Sequence, residues 1–181
     1  MALLITSPAF PAGGRLPTAN TCDGTAGIPP LVFTGVPPAA KSLTLLFDDP
    51  DVPWILARNH LFVHWVRWDL PPTTAGIPAG KTEGGSGYVD PCPPWGEHRY
   101  VFKLFALDAT LGPNANVATE GGLYASMQGH ILDQAELVSH YSRPASVQSY
   151  APFFALGGMA LVVVFGMILV WYGLRGLFRR A

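Results

Sequence analysis

The chain has 181 residues, 49% of them hydrophobic and 13% charged, with a formal net charge of -1. That length supports one domain with a proper core. An aromatic content of 12% excludes a disordered chain, and near-neutral charge leaves no electrostatic footprint for nucleic acid. All twelve acidic residues but only eight of the eleven basic ones precede residue 151, leaving -4 there, while Arg175, Arg179 and Arg180 put +3 on the remainder. Two different physical objects share the chain.

Residues 1–150 hold 17 prolines and 15 glycines, a content that favours short strands and many turns over a helical bundle. The N-terminal stretch Met1–Pro8 lacks the basic start and apolar length of a secretory leader. Cys22 and Cys92 are too few for a disulfide framework, and the sequence leaves open whether they pair or stay as two buried thiols. Strands are predicted over 42–47, 61–68 and 99–107, each rich in β-branched, aromatic or alternating apolar residues. One amphipathic helix is predicted over about 120–141, where Leu123, Met127, Ile131, Ala135 and Val138 recur at spacings of four, four, four and three. Residues 151–174 form 24 positions without a charge; as a helix they would run about 36 Å, enough for a hydrocarbon core of about 30 Å. Trp171 and Tyr172 near its end, and the arginines after it, fit a membrane interface. The expectation is a mainly β domain over 1–148 with antiparallel sheets and one helix, a transmembrane helix over 151–174, and a basic tail over 175–181.

Three segments concentrate unusual chemistry. The turn 48–53 carries Asp48, Asp49 and Asp51 among two prolines, and three carboxylates in four positions repel unless donors or a cation hold them. His64 interrupts an apolar strand; strict alternation puts Phe62, His64, Val66 and Trp68 on one face and Val63, Trp65 and Arg67 on the other. The stiff loop 87–96 feeds a strand in which His98, Tyr100 and Phe102 share a face. Two imidazoles, a phenol and an aspartate, if convergent, form a polar cup suited to an anion, with charge that switches near neutral pH. No G-x-S-x-G elbow, H-E-x-x-H or paired CxxC is present, so binding is expected rather than catalysis, without metal or cofactor.

Taken together, these segments resemble the phosphatidylethanolamine-binding proteins, in their bacterial-type Raf-kinase-inhibitor-like branch. The resemblance runs through residues 5–143 and is carried by Ser7–Phe10, Thr21–Gly24, Pro29–Leu31, the Asp-Pro-Asp-x-Pro turn at 49–53, and His64-Trp65. It continues through Tyr88–Pro94, Gly96–Tyr100, Ala106–Asp108 and Gly129–Leu132. It implies two antiparallel sheets with a Greek-key element and a small pocket for phosphate-like anions and phospholipid head groups. By matching position, the ligand-binding residues would be Asp49, Pro53, His64, His98 and Tyr100, with loop 90–94, including Asp90 and Pro94, as one wall. Asp51 and Arg99 would brace the turns. Asp90 departs from the family's glycine and puts negative charge beside the anion site.

The leading expectation is a membrane-anchored binding module whose partner is a phosphate-bearing small molecule or phospholipid head group. The alternative is an accessory subunit of a larger membrane complex, since Gly157, Gly158, Gly166 and Gly173 allow close helix packing in the membrane. The arginines after the span place the C-terminus in the cytoplasm, whereas the N-terminus offers no means of export. Weighting the second more heavily predicts a tail anchor with the β domain on the cytoplasmic or an equivalent face.

Overall fold

The computed structural model describes residues 1–53, 55–57, 61–80 and 87–144. Met1–Arg143 form one compact unit. Among the described residues no helix is long and apolar enough to cross a membrane; the run 151–174 and the tail 175–181 lie outside them.

The unit is mainly β, with two sheets and one helix. Strands β1 (Leu4–Thr6), β3 (Leu31–Thr34) and β6 (Gly76–Ile77) make a three-stranded antiparallel sheet in the order β1-β3-β6. The larger sheet has the order β2-β8-β7-β4-β5, from β2 (Gly14–Arg15), β8 (Ile131–Ser142), β7 (Glu97–Leu107), β4 (Ser42–Asp49) and β5 (Phe62–Leu70). Its ladders are antiparallel except for the short edge strand β2, which runs parallel to β8.

The centre of the larger sheet is buried on both faces, as its composition requires. Every residue of β4 is buried. Leu43, Leu45 and Phe47 join Tyr100, Phe102, Leu104, Leu137 and Tyr141 in a core shared with Ile5, Leu31 and Phe33 of the smaller sheet. On the opposite face Leu46, Phe105 and Leu107 meet Leu123 and Met127 of helix α1 (Glu120–Met127). An apolar run without alternation is the signature of such a two-faced strand.

The helix predicted over 120–141 is only eight residues long, and its second half is strand β8. Thr119 caps α1 by accepting from the Gly122 amide at 3.1 Å. Gly129, at a φ of +80°, turns the chain out of the helical path. From Ile131 onward the chain pairs with β7 along nearly its whole length. The error has a physical origin: a spacing of four is an even number, so it fits one face of a strand as well as a helix stripe. In β8 the inward set is Leu137, Ser139 and Tyr141, at period two.

A second correction concerns β5. Across the β4–β5 ladder Phe47 pairs with Trp65, but Asp48 pairs with Val63, so one residue is extra on β5. His64 and Trp65 therefore both reach the core shared by the sheets, while Val63 and Val66 pack towards α1. Strict alternation separated His64 from Trp65; the bulge puts them on the same side.

Candidate functional site

The C-terminal end of β4, the N-terminal ends of β5 and β7, and the C-terminal end of β8 all lie at one end of the larger sheet. A pocket of about 260 Å³ opens there, lined by Asp49, Val52, Leu56, Phe62, His64, Val89, Asp90, Cys92, Pro94 and His98.

The acidic turn that closes β4 is held by three separate side chains from β7. Asp49 Oδ2 accepts from His98 Nδ1 at 2.7 Å, and Asp49 Oδ1 accepts from the Asp51 amide at 2.8 Å. Asp51 takes a two-pronged bond from Arg99, at 2.9 and 2.7 Å, and a third from the Arg99 amide. Asp48 points to the opposite face, where Lys103 Nζ donates to it at 2.7 Å. Alternation along β7 makes this possible, because His98 faces the pocket side while Arg99 and Lys103 face away. Arg99 holds the Asp51 carboxyl below the ordinary carboxylate range.

The two histidines have opposite character. Burial lowers the affinity of His98 for its second proton, but the hydrogen bond and negative charge of Asp49 outweigh that, so its pKa stands above the usual histidine value. With Nδ1 donating to Asp49, protonated His98 carries a second N–H at Nε2, and a hydrogen bond to the Trp95 backbone also helps to raise its pKa. Burial dominates at His64 and lowers its pKa despite the Val89 carbonyl bond and the charges of Asp49 and Asp90. His64 Nδ1 donates to the Val89 carbonyl at 2.8 Å, and the Val89 amide returns a bond to the His64 carbonyl at 2.9 Å. A neutral His64 bonded through Nδ1–H has a lone pair at Nε2, so it accepts. The site thus pairs a histidine whose proton affinity is raised with one whose proton affinity is lowered.

The loop wall is fixed covalently. Cys22 and Cys92 form a disulfide spanning 70 positions, and the Cys22 amide donates to the Pro91 carbonyl at 3.0 Å. Closing a loop of that length stabilises the fold by roughly 4 kcal/mol on chain-entropy grounds.

Of the residues expected at the site, Asp49, His64, Asp90, Pro94 and His98 line the pocket; Pro53 and Tyr100 do not. Tyr100 is fully buried behind it, its ring 5.4 Å from that of His64 and 6.5 Å from that of His98. Burial, then the nearby Asp49 charge, pushes its phenol far above the ordinary value, so it stays neutral. Pro53 follows the lining residue Val52 and shapes the turn. Sequence reasoning missed the apolar lining of Val52, Leu56, Phe62 and Val89; Cys92 lies in the loop 90–94 expected as a wall. The signal for three of the apolar residues was present: Val52, Phe62 and Val89 each lie within three residues of a polar site residue. Among the described residues no group of three or more His, Cys, Asp or Glu is placed to hold a metal ion.

The sequence profile of the phosphatidylethanolamine-binding proteins matches residues 6–142. The chain belongs to this family. A UPF0098 protein of Chlamydia pneumoniae is 41% identical over 148 residues, covering 77% of this chain and 98% of the relative. A UPF0098 protein of Methanothermobacter thermautotrophicus is 41% identical over 150 residues, covering 75% and 95%. Among solved structures, the PEBP homolog CT736 of Chlamydia trachomatis superposes with a TM-score of 0.71 at 37% identity, covering 79% of this chain and 99% of that one. YbcL of E. coli, described as a member of the mammalian PEBP family, shares the fold with a TM-score of 0.68 at 23% identity, over 80% and 100%. In CT736 and YbcL the family's fold is almost the entire chain.

Proposed function

We propose that the pocket binds a phosphate-bearing group without transforming it, either as a free phosphoester or as a phospholipid head group. The observation that carries this reading is the pairing on one small pocket of His98, whose pKa Asp49 holds up, with His64, whose pKa burial lowers. An imidazolium N–H donates to a phosphate oxygen, and the second imidazole accepts from a ligand O–H or N–H. Among the described lining residues there is no hydroxyl, amine or free thiol to act as a nucleophile. The uncharged run 151–174 serves, in this reading, as a membrane anchor for the domain.

Titration of fragment 1–148 with phosphoethanolamine, followed through the histidine ring resonances, tests the binding reading. Shifts at both His64 and His98 that saturate together are expected. Silent histidines at millimolar ligand, a concentration equivalent to about 4 kcal/mol of binding, would show a vestigial pocket and favour the accessory-subunit alternative.

A further inference from the structure

The pocket mouth carries an apolar rim that binding of a small polar group does not require. Ile55 and Leu56 are 57% and 62% exposed, and Phe62, Val89 and Trp95 are exposed as well. Leu56, Phe62 and Val89 line the pocket itself; Ile55 adjoins Leu56, and Trp95 adjoins the lining residue Pro94. They come from three separate segments, the turn after β4, the start of β5 and the loop before β7, so the fold gathers them at one end of the sheet. A soluble domain seldom leaves large apolar side chains together around a concavity unless something covers them.

We infer that this rim is a membrane-docking face, which seats the pocket mouth against the head-group layer of a zwitterionic bilayer. The occupant follows from where the chain leaves the domain. Strand β8 ends at Ser142, paired with Glu97, at the pocket end of the sheet. Seven residues, 144–150, then precede the uncharged run that starts at Ala151. Fully extended they reach about 25 Å, so a bilayer holding that run lies within one short tether of the rim's end of the domain. A tryptophan beside aliphatic and phenyl groups is the composition that partitions at a head-group boundary. The charge selects the kind of bilayer. Residues 1–150 carry -4, and among the described lining residues Asp49 and Asp90 are acidic and none is a lysine or arginine. An anionic surface therefore repels the domain, and docking is apolar rather than electrostatic.

Fragment 1–148 is the proper test object, because CT736 consists of this domain almost alone. Co-sedimentation with phosphatidylcholine vesicles is expected, undiminished in high salt and weakened by added phosphatidylserine. Each of Leu56→Glu and Phe62→Glu should lower vesicle partitioning by about tenfold or more, the order expected for removing a buried apolar side chain. Leu132→Glu is the control: Leu132 is as exposed as Phe62, but it lies beside Ile131, which pairs with Leu107 at the far end of the β7–β8 ladder. Its partitioning should equal that of the unaltered fragment. Brominated lipid should quench part of the tryptophan emission, and Trp95→Phe should remove that part. Failure to sediment overturns the inference, as does partitioning lost in salt or equally sensitive at Leu132. Self-association abolished by Leu56→Glu would assign the rim to a second copy of the chain instead. The docking face and the head-group reading fail separately. Lost partitioning with intact histidine titration removes only the first, and silent histidines with intact partitioning remove only the second.

Discussion

Replacing Asp49 by asparagine isolates the contribution of the carboxylate to the pocket. In the native protein His98 and Asp49 are both 3% exposed, and the His98 pKa stands above the ordinary value because Asp49 outweighs the effect of burial. Asparagine is nearly isosteric and retains an oxygen for the Asp51 amide, but its NH₂ faces His98 Nδ1. The imidazole then switches tautomer: Nδ1 accepts, Nε2 still carries a proton, and the ring is neutral. Without the Asp49 charge, burial dominates and the His98 pKa should fall below the ordinary value of about 6.5. A hydrogen bond from a neutral donor to phosphate is weaker than one from a cation by about 1.4 kcal/mol, or about tenfold in affinity. The assay is a pair of titrations by NMR, proton against His98 and glycerophosphoethanolamine against both histidines. A phosphodiester does not itself titrate near neutral pH, so the pH dependence reports the protein. Native affinity should fall as pH rises through the raised His98 pKa, and the variant should be weaker and flat over that interval. Stability should follow with the same sign. A raised histidine pKa stabilises the native state below the ordinary value, and this contribution is lost as pH rises through the folded pKa. The native-minus-variant stability gap should therefore be larger in mildly acidic than in alkaline buffer. A His98 pKa that stays above the ordinary value in Asp49→Asn, or unchanged affinity, would refute the reasoning.

Asp90→Gly should bind phosphoethanolamine more tightly, by about 1 kcal/mol for removal of a like charge near a partly exposed phosphate; equal or weaker binding in calorimetry would show that Asp90 faces away from the ligand. Asp51 carries the opposite pH signature to His98: its depressed pKa stabilises the fold above the ordinary carboxylate value and loses that effect as pH falls through the folded value. Acid unfolding of Asp51→Asn should therefore show less acid sensitivity, by under about 1 kcal/mol because the Arg99 pair is half exposed, and an unchanged acid transition would count against this. Full-length protein should stay with membranes through carbonate washing, whereas fragment 1–148 should be removed from them by it; release of the full chain would deny 151–174 its role as an anchor.

What the sequence disclosed about the site depended on residue type, and what it concealed depended on register. Asp49, His64, Asp90 and His98 are legible because a charged or titratable group in an apolar or proline-stiffened context has few bland explanations. The braces were legible too, since three adjacent carboxylates demand donors, and Arg99 stands beside His98. The donor for Asp48, Lys103, lies 55 positions away and on the other face of the sheet, where only the strand pairing brings them together. The β5 bulge is invisible to a period-two reading, because it arises from how β5 meets β4 and not from any residue of its own. The spacing of four across 123–135 was ambiguous between helix and strand, and Gly129 marked the change that the spacing could not. Tyr100 was assigned to the right face, but its depth beneath the two histidines follows from the packing of Phe47, 6.2 Å from it.

The disulfide bears on orientation in a way that no local pattern does. The expectation of a tail anchor puts the β domain on the cytoplasmic or an equivalent face, whereas the terminal arginines favour the opposite side. Cys22 and Cys92 are an independent witness, brought together from 70 positions apart to within a Cα separation of 5.3 Å. Disulfides persist in oxidising compartments and are rare where glutathione keeps thiols reduced. The bond and the arginines together predict one arrangement for an anchored chain, with the β domain on the oxidising side and residues 175–181 in the cytoplasm. Rapid acid trapping of cells followed by thiol labelling should find both cysteines blocked, and protease added outside intact cells or spheroplasts should digest the β domain. Two free thiols together with a protected domain would reverse the orientation. They would also mean that the pocket wall at Cys92 is held in the cell by the Cys22–Pro91 hydrogen bond and packing alone.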